Sequence, residues 1–387
     1  MTNGLSALSR FGMDVLLTLS RDRFADGVQG GCHERLDAAL MPVATGRKRL
    51  MVQARQLYLL SHAALLGDRS GERTAERGYE FLRDCFLDRR QGGWYFAVTP
   101  EGDVLAPSKD LYGHAFVLFA LAWLHRAFAV PDALELAAGT MDILHARTAL
   151  PVGGHQATAS RDWTHASDSL SQNPHMHLLE AMLALHEASG DPRWLTEADA
   201  LVRLFRDRLF HRGTGTLREF FSPDWSPHPD RGDIVEPGHH FEWVWLLDWY
   251  RRRGGTLPVI EEAETLFCFA MRNGFDAEHG GIHDQVAPDG TPLLRTRRIW
   301  PVAEAVKACV AVTRSGRDFR CEAESLAAQL FRMFVPPDRT GWHETLTREG
   351  VPTMMELPGS TPYHLFLAAA EAGYLVAGGS PVAAPVC

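Results

Sequence analysis

Apolar residues recur three and four positions apart over twelve stretches of the chain: 6–20, 47–66, 75–86, 110–128, 132–146, 174–188, 192–210, 237–251, 257–271, 301–313, 317–334 and 362–374. That period lines one face of a helix, so each stretch is predicted helical. Asn173, Thr361 and Asp191 each stand before a proline, which predicts a capping side chain with proline in the first turn.

The segments between helices also repeat. A glycine followed by a short strand-like run appears at Gly31, Gly93, Gly154, Gly215, Gly281 and Gly341, at intervals of 62, 61, 61, 66 and 60 residues. Residues 99–102, 287–290 and 347–350 carry turn chemistry, which predicts hairpin-like loops. A polar marker follows each glycine. His177, His239, Glu304 and His364 stand 22 residues after His155, Leu217, Ile282 and Trp342, whereas His114 stands 20 after Trp94 and Arg55 stands 23 after Cys32.

Six units of one design can form an open solenoid or a closed ring. In a solenoid the middle repeats resemble one another closely. Here the equivalent position is always polar but differs in kind, which suggests one convergent site. The pattern therefore predicts an all-α (α/α)6 barrel, a six-fold toroid of helix hairpins with short β-hairpin loops at one end. Residues 1–387 read as a single domain.

Composition narrows the class. The net charge is −9 and no long Lys/Arg run is present, which speaks against nucleic acid and anionic lipid as partners. No apolar stretch reaches the roughly 18 residues of a membrane span. Residues 11–19 are interrupted by Asp14 and do not read as a signal peptide. The six cysteines are scattered, with no CxxC. They read as reduced, mostly buried thiols, which suggests the cytoplasm.

Candidate chemistry gathers at the predicted inner-helix starts. Imidazole serves as base and acid near neutral pH. His177, His239 and His364 each fall in a first helical turn, where the positive dipole end disfavours the cation. Glu180 and Glu242 follow His177 and His239 by three residues on the same face, placed to orient a ring or bind a hydroxyl. Arg55 is either part of the site or an inner-helix partner of Glu304. Tyr112 and Trp300 suit barrel packing or a ligand platform equally. His62, His125, His145, His186 and His211 read as surface or packing residues, as do His175 and His240. The pairs His175/His177 and His239/His240 diverge by about 200° and about 100° round a helix, so neither chelates, and no metal is expected.

At these residues the chain resembles the N-acylglucosamine 2-epimerase superfamily, and within it the mannose isomerase and sulfoquinovose isomerase-like branch. The resemblance rests on NPHMHLLEA (173–181), EPGHHFEW (236–243), RRIWPVAEA (297–305) and PYH (362–364), in order and covering nearly the whole chain. It implies an (α/α)6 barrel that needs no metal or cofactor, with a small-molecule sugar as partner and a monomer or homodimer as the assembly. It implies that Arg55, His177, His239, Glu242 and His364 are catalytic, with His239 and His364 the acid/base pair. Tyr112, His114, Asn173, Glu180, Trp300 and Glu304 are then expected at the substrate. The expected reaction is aldose–ketose isomerisation of a free sugar, D-mannose to D-fructose. His239, oriented by Glu242, would open the ring, and His364 would take the C2 proton to give a cis-enediolate. Arg55 and His177 would stabilise the oxygen charge. The rivals are a 2-epimerase with the same residues, a glycoside hydrolase using Glu242 and Glu304, and a non-catalytic carbohydrate-binding protein.

Overall fold

A computed structural model describes residues 3–378. Within them lie twelve helices in two rings. The inner ring is α2 (Leu50–Leu65), α4 (Leu111–Phe128), α6 (Gln172–Ser189), α8 (Pro237–Arg252), α10 (Ile299–Arg314) and α12 (Pro362–Val376). The outer ring is α1 (Gly4–Phe11), α3 (Glu72–Phe81), α5 (Ala133–Thr148), α7 (Pro192–Leu204), α9 (Ile260–Asn273) and α11 (Arg320–Phe334). Helix α1 runs on through wider π turns to Phe24, and α3 and α7 likewise end in π turns at Leu82–Phe86 and Phe205–Leu209.

The two rings differ because their sequences differ. In α4 every residue from Ala115 to Leu124 is buried, since the helix is flanked by two inner neighbours and an outer one. In α11 only Ala323, Leu326, Ala327, Leu330 and Phe334 are buried, one stripe at three- and four-residue spacing facing inward. Consecutive inner helices touch all the way round, and α12 returns to α2. The predicted toroid is therefore closed.

A second closure runs through the loops where the inner helices begin. The strand entering each inner helix pairs antiparallel with the loop of the next unit: Lys48–Arg49 with Ala97–Val98, Lys109–Asp110 with Thr158–Ala159, Leu170–Ser171 with Phe220–Phe221, and Arg297–Arg298 with Thr345–Leu346. Val235 bridges Val286, and Leu357–Pro358 returns to Arg35–Leu36. The opposite end of the ring is stopped by ion pairs among helix C-termini. Arg126 and Arg253 share Glu187 at 3.2 and 2.6 Å, and Arg314 pairs with Glu371.

Two expectations need correction. Asn173 and Thr361 do not cap their helices: Ser171 caps α6, which starts at Gln172, and Thr361 instead donates to Glu344. Asp191 does cap α7, accepting from the Arg193 amide at 2.9 Å. The thiols are also less buried than expected, since Cys268 and Cys321 are exposed, Cys85 is half-buried, and only Cys32 and Cys309 are buried. Cys387 lies outside the described residues. No helix among the described residues is long and apolar enough to cross a membrane.

Candidate active site

The inner-helix starts surround a cavity of about 310 Å³. Arg55 reaches it from α2, Tyr112 from α4, Asn173 and His177 from α6, His239 and Glu242 from α8, Trp300 from α10 and His364 from α12. The six-fold arrangement thus brings residues from all six units to one chamber.

The six histidines of the inner-helix starts divide by the job of their ring nitrogens. His114, His175 and His240 accept backbone amides from the preceding loop: Trp94 at 3.0 Å, His155 at 2.9 Å and Leu217 at 3.0 Å. His114 and His175 also bond a carbonyl of their own first turn, Asp110 and Ser171. Gln53 does the same work in the first unit, accepting from Cys32 at 2.6 Å. The glycines of the repeat make this docking possible. Gly93 and Gly154 sit at φ 66° and 76°, and a Cβ there would meet His114 Nε2 at 2.7 Å or His175 Nε2 at 2.9 Å. His114, expected at the substrate, is thus a buried fold residue away from the cavity. The interval of 20 from Trp94 matches His155 to His175, so the second unit's counterpart of His177 is Phe116. Phe116 packs on the His177 ring at 4.5 Å and lies under the Arg55 guanidinium at 4.2 Å.

His177, His239 and His364 face the chamber, each with a carboxylate behind Nδ1. His177 Nδ1 bonds Glu180 at 3.1 Å, His239 Nδ1 bonds Glu219 at 2.9 Å and His364 Nδ1 bonds Glu304 at 2.8 Å. Such a partner fixes ring orientation and leaves Nε2 for a ligand. Glu180 and Glu304, expected at the substrate, stand one layer below the cavity and hold histidines instead. Glu219 and not Glu242 orients His239. Glu219 comes from the loop after Thr216–Leu217, outside any periodic element, and the sequence pattern did not single it out.

The three imidazoles are not electrostatically alike. Burial, with Arg55 beside them, pushes His177 and His364 well below the ordinary histidine value. Burial acts on His239 too, but Glu219, Glu236 and Glu242 outweigh it and lift that ring to about 9. The expectation that every first-turn histidine is neutral therefore fails for His239, because three carboxylates exceed one helix dipole. Glu242 has no hydrogen-bond partner on either oxygen, and burial followed by repulsion from Glu304 holds its carboxyl well above the ordinary range. Its carboxyl faces the cavity. Glu180 rises to about 7 through burial, with the Tyr363 hydroxyl bound to both its oxygens.

Arg55 donates to the Ser360 carbonyl at 3.1 Å and the Tyr112 hydroxyl at 2.7 Å, not to Glu304. The Trp300 ring lies between the two acid/base candidates, 5.1 Å from His239 and 5.3 Å from His364. Asn173, freed from capping, lines the cavity with Oδ1 unpartnered. Glu236, Arg298 and Glu344 also line the wall, and none of them was expected as a ligand group.

Glu242, Glu304 and His364 bring ligating atoms within 4.8 Å of one another. The cation of this group is built into the chain. Lys307, fully buried one turn below, places Nζ 2.7 Å from Glu304 Oε2. The trio of buried Asp276 with exposed Glu278 and His279 is similarly served by Arg348, which pairs with Asp276 and Glu278 at 2.8 Å each.

A closed (α/α)6 barrel with paired imidazoles at the inner-helix starts defines a sugar isomerase or epimerase. The chain belongs to the N-acylglucosamine 2-epimerase (GlcNAc 2-epimerase) family, whose sequence model matches residues 30–368. It is 34% identical over 371 residues to a mannose-6-phosphate isomerase of Rhizobium meliloti (strain 1021), covering 92% of this chain and 94% of that one. It is 28% identical over 343 residues to a D-mannose isomerase of Thermobifida fusca, covering 84% and 83%. The cellobiose 2-epimerase of Spirochaeta thermophila DSM 6192 superposes with a TM-score of 0.85 at 25% identity, over 97% of this chain and 96% of that one.

Proposed function

We propose that the chain is an aldose–ketose isomerase of free monosaccharides that interconverts D-mannose and D-fructose by proton transfer. The observation that carries this reading is the pair His239 and His364 in one chamber, flanking Trp300, each with a carboxylate behind Nδ1. Two of the relatives are named as isomerases of mannose or its phosphate, which favours an aldohexose of that configuration.

The pyranose opens when protonated His239 donates its Nε2 proton to the ring oxygen, the C1–O5 bond breaks with its electron pair going to that oxygen, and the anomeric hydroxyl returns its proton to His239 Nε2, which leaves the C1 aldehyde and a protonated His239. Neutral His364 then takes the C2 proton. The C–H electron pair becomes the C1–C2 double bond, and the carbonyl oxygen O1 takes a proton from His239 Nε2. The reverse flow completes the reaction: protonated His364 returns its proton to C1 and the O2 hydroxyl returns one to His239, which leaves the C2 ketone. Arg55 supplies positive charge to the enediolate oxygens. His177 Nε2 accepts from a hydroxyl, and the unpartnered Glu242 carboxyl hydrogen-bonds another. Proton transfer by each positioned group is worth about 10²–10⁴-fold.

A neutral sugar fits the wall better than a phosphorylated one. Glu219, Glu236 and Glu344 line the cavity, and Arg298 is already held by Glu236 at 3.0 Å and Asp284 at 2.7 Å. The test is incubation with mannose, fructose and mannose 6-phosphate in D2O, with products identified by NMR. Fructose from free mannose, with deuterium entering C1, is the expected result. Turnover of mannose 6-phosphate alone would overturn the free-sugar reading.

A 2-epimerase is the second reading, since the barrel is shared with the cellobiose 2-epimerase. An imidazole acid opposite an imidazole base can also return a proton to the other face of C2. Its signature in the same experiment is glucose carrying deuterium at C2 with little fructose.

A further inference from the structure

The carboxylates behind His239 and His364 have unlike surroundings. Glu219 sits beside an uncharged partner, Gln172, whose amide donates to Oε2 at 2.9 Å, and its Oε1 is unpartnered. Its negative charge is spent on His239 alone. Glu304 instead has the Lys307 ammonium 2.7 Å from its second oxygen. The contact is close but not aligned for a hydrogen bond, so it acts by charge. Lys307 is fully buried and stacks its Nζ 4.2 Å from the Trp245 ring. An ammonium in a helix that is otherwise apolar around it, three residues after Glu304, is costly unless it performs a task.

We infer that Lys307 is the positioning residue that makes His364, and not His239, the base of the pair. It cancels the Glu304 charge, so His364 is oriented by a carboxylate without being made a cation by it. The proposal rests on the isomerase or epimerase reading of this chamber.

The other groups around the two rings leave the asymmetry standing. His364 is faced by Arg55 from α2, His177 from α6, His239 and Glu242 from α8, and Glu304 and Lys307 from α10. Arg55, His177 and His239 oppose a second cation, and burial biases Glu242 toward its uncharged form. His239 is faced by Glu219 from the loop, by Glu236 and Glu242 from its own helix start, and by His177 and Glu304 across the chamber. Arg298 engages Glu236 and so weakens that one contribution, while Glu219 is untouched. Loss of Lys307 would let the Glu304–His364 pair take up one more proton. Whichever of the two carries it, Nε2 of His364 is no longer a free base.

The test has a readout in the wild-type protein that needs no substrate. With 15N-labelled histidine, and signals assigned by His239→Asn and His364→Asn, NMR near pH 7 should show His239 doubly protonated and His364 neutral with a free Nε2. In Lys307→Met the His364 signal should move to the protonated pair. The acidic limb of kcat/KM should rise by about one pH unit or more, a tenfold change in proton affinity. Lys307→Arg should keep the wild-type limb. Equal protonation of the two rings in wild type overturns the proposal. So does a folded Lys307→Met variant whose rate falls without any movement of the limb. If Lys307→Met does not fold, the wild-type titration and Lys307→Arg decide. Failure to convert any sugar defeats the functional reading while leaving the imidazole titration to judge Lys307.

Discussion

Imidazoles in one chamber acquire different chemistry from what stands behind Nδ1. Glu219 makes His239 a cation up to about pH 9, so its acid role is present below that value and lost as pH rises through it. Substituting Glu219→Gln removes the charge that opposes burial, and the His239 value must fall. The alkaline limb of kcat/KM is therefore expected to move down by more than about one unit, read from a pH–rate profile. An unmoved limb would separate Glu219 from His239. His239→Asn and His364→Asn should each lower kcat by at least about 10²-fold with the helical circular dichroism intact, while His125→Asn stays near wild type. The histidines of the chamber were legible because they occupy an equivalent place in a repeat. Glu219 was not, since it lies in a loop whose closeness to His239 exists only after folding. Lys307 does carry a signal in the sequence, a cation at i+3 from Glu304 inside an otherwise apolar stretch of inner helix.

At the scale of elements, the repeat proves to contain two registers. One is a structural clamp in which Gln53, His114, His175 and His240 each receive a backbone amide from the preceding loop. The other, two residues further on in α6, carries the chemistry at His177. Sequence spacing placed the helices well because their period is local, and it missed the clamp because an amide-to-imidazole bond has no spacing of its own. The offset of 20 in place of 22 was the visible trace of it. The His114 clamp yields a stability prediction. His114→Ala leaves the Trp94 amide buried without an acceptor, which costs about 1–3 kcal/mol. Urea unfolding should show that loss, and KM for the sugar should be unchanged in the folded fraction. A large KM effect with unaltered stability would return His114 to the substrate.

For the whole molecule, a site fed by six units depends on the ring being closed. Closure is made twice, by α12 against α2 and by Leu357–Pro358 against Arg35–Leu36. Helix α1 covers the seam from outside, packing on both α11 and α12, and it precedes the family match that begins at residue 30. Its Phe11 meets Phe331 edge-on at 5.6 Å, and a Cβ at Gly12 would strike Ala369 at 2.5 Å, so the helix is seated closely on α12. Leu8, Phe11, Leu16, Leu17, Leu19 and Phe24 are all buried there. At about 1.5–3 kcal/mol for each buried large apolar side chain, their sum is of the size of a whole domain's stability. His364 stands on α12 at the chamber and Phe366, two residues on, faces Gly12 of the outer helix, so loosening the seam moves the base. Deleting residues 1–24 is therefore expected to abolish cooperative thermal unfolding or to lower Tm by more than about 10 °C, with activity lost in parallel. The milder variant Phe11→Ala should cost about 3–5 kcal/mol in urea unfolding and lower Tm while kcat in the folded protein persists. A truncated protein that melts within a few degrees of the full chain and still turns over sugar would show that the inner ring closes without its sixth outer helix.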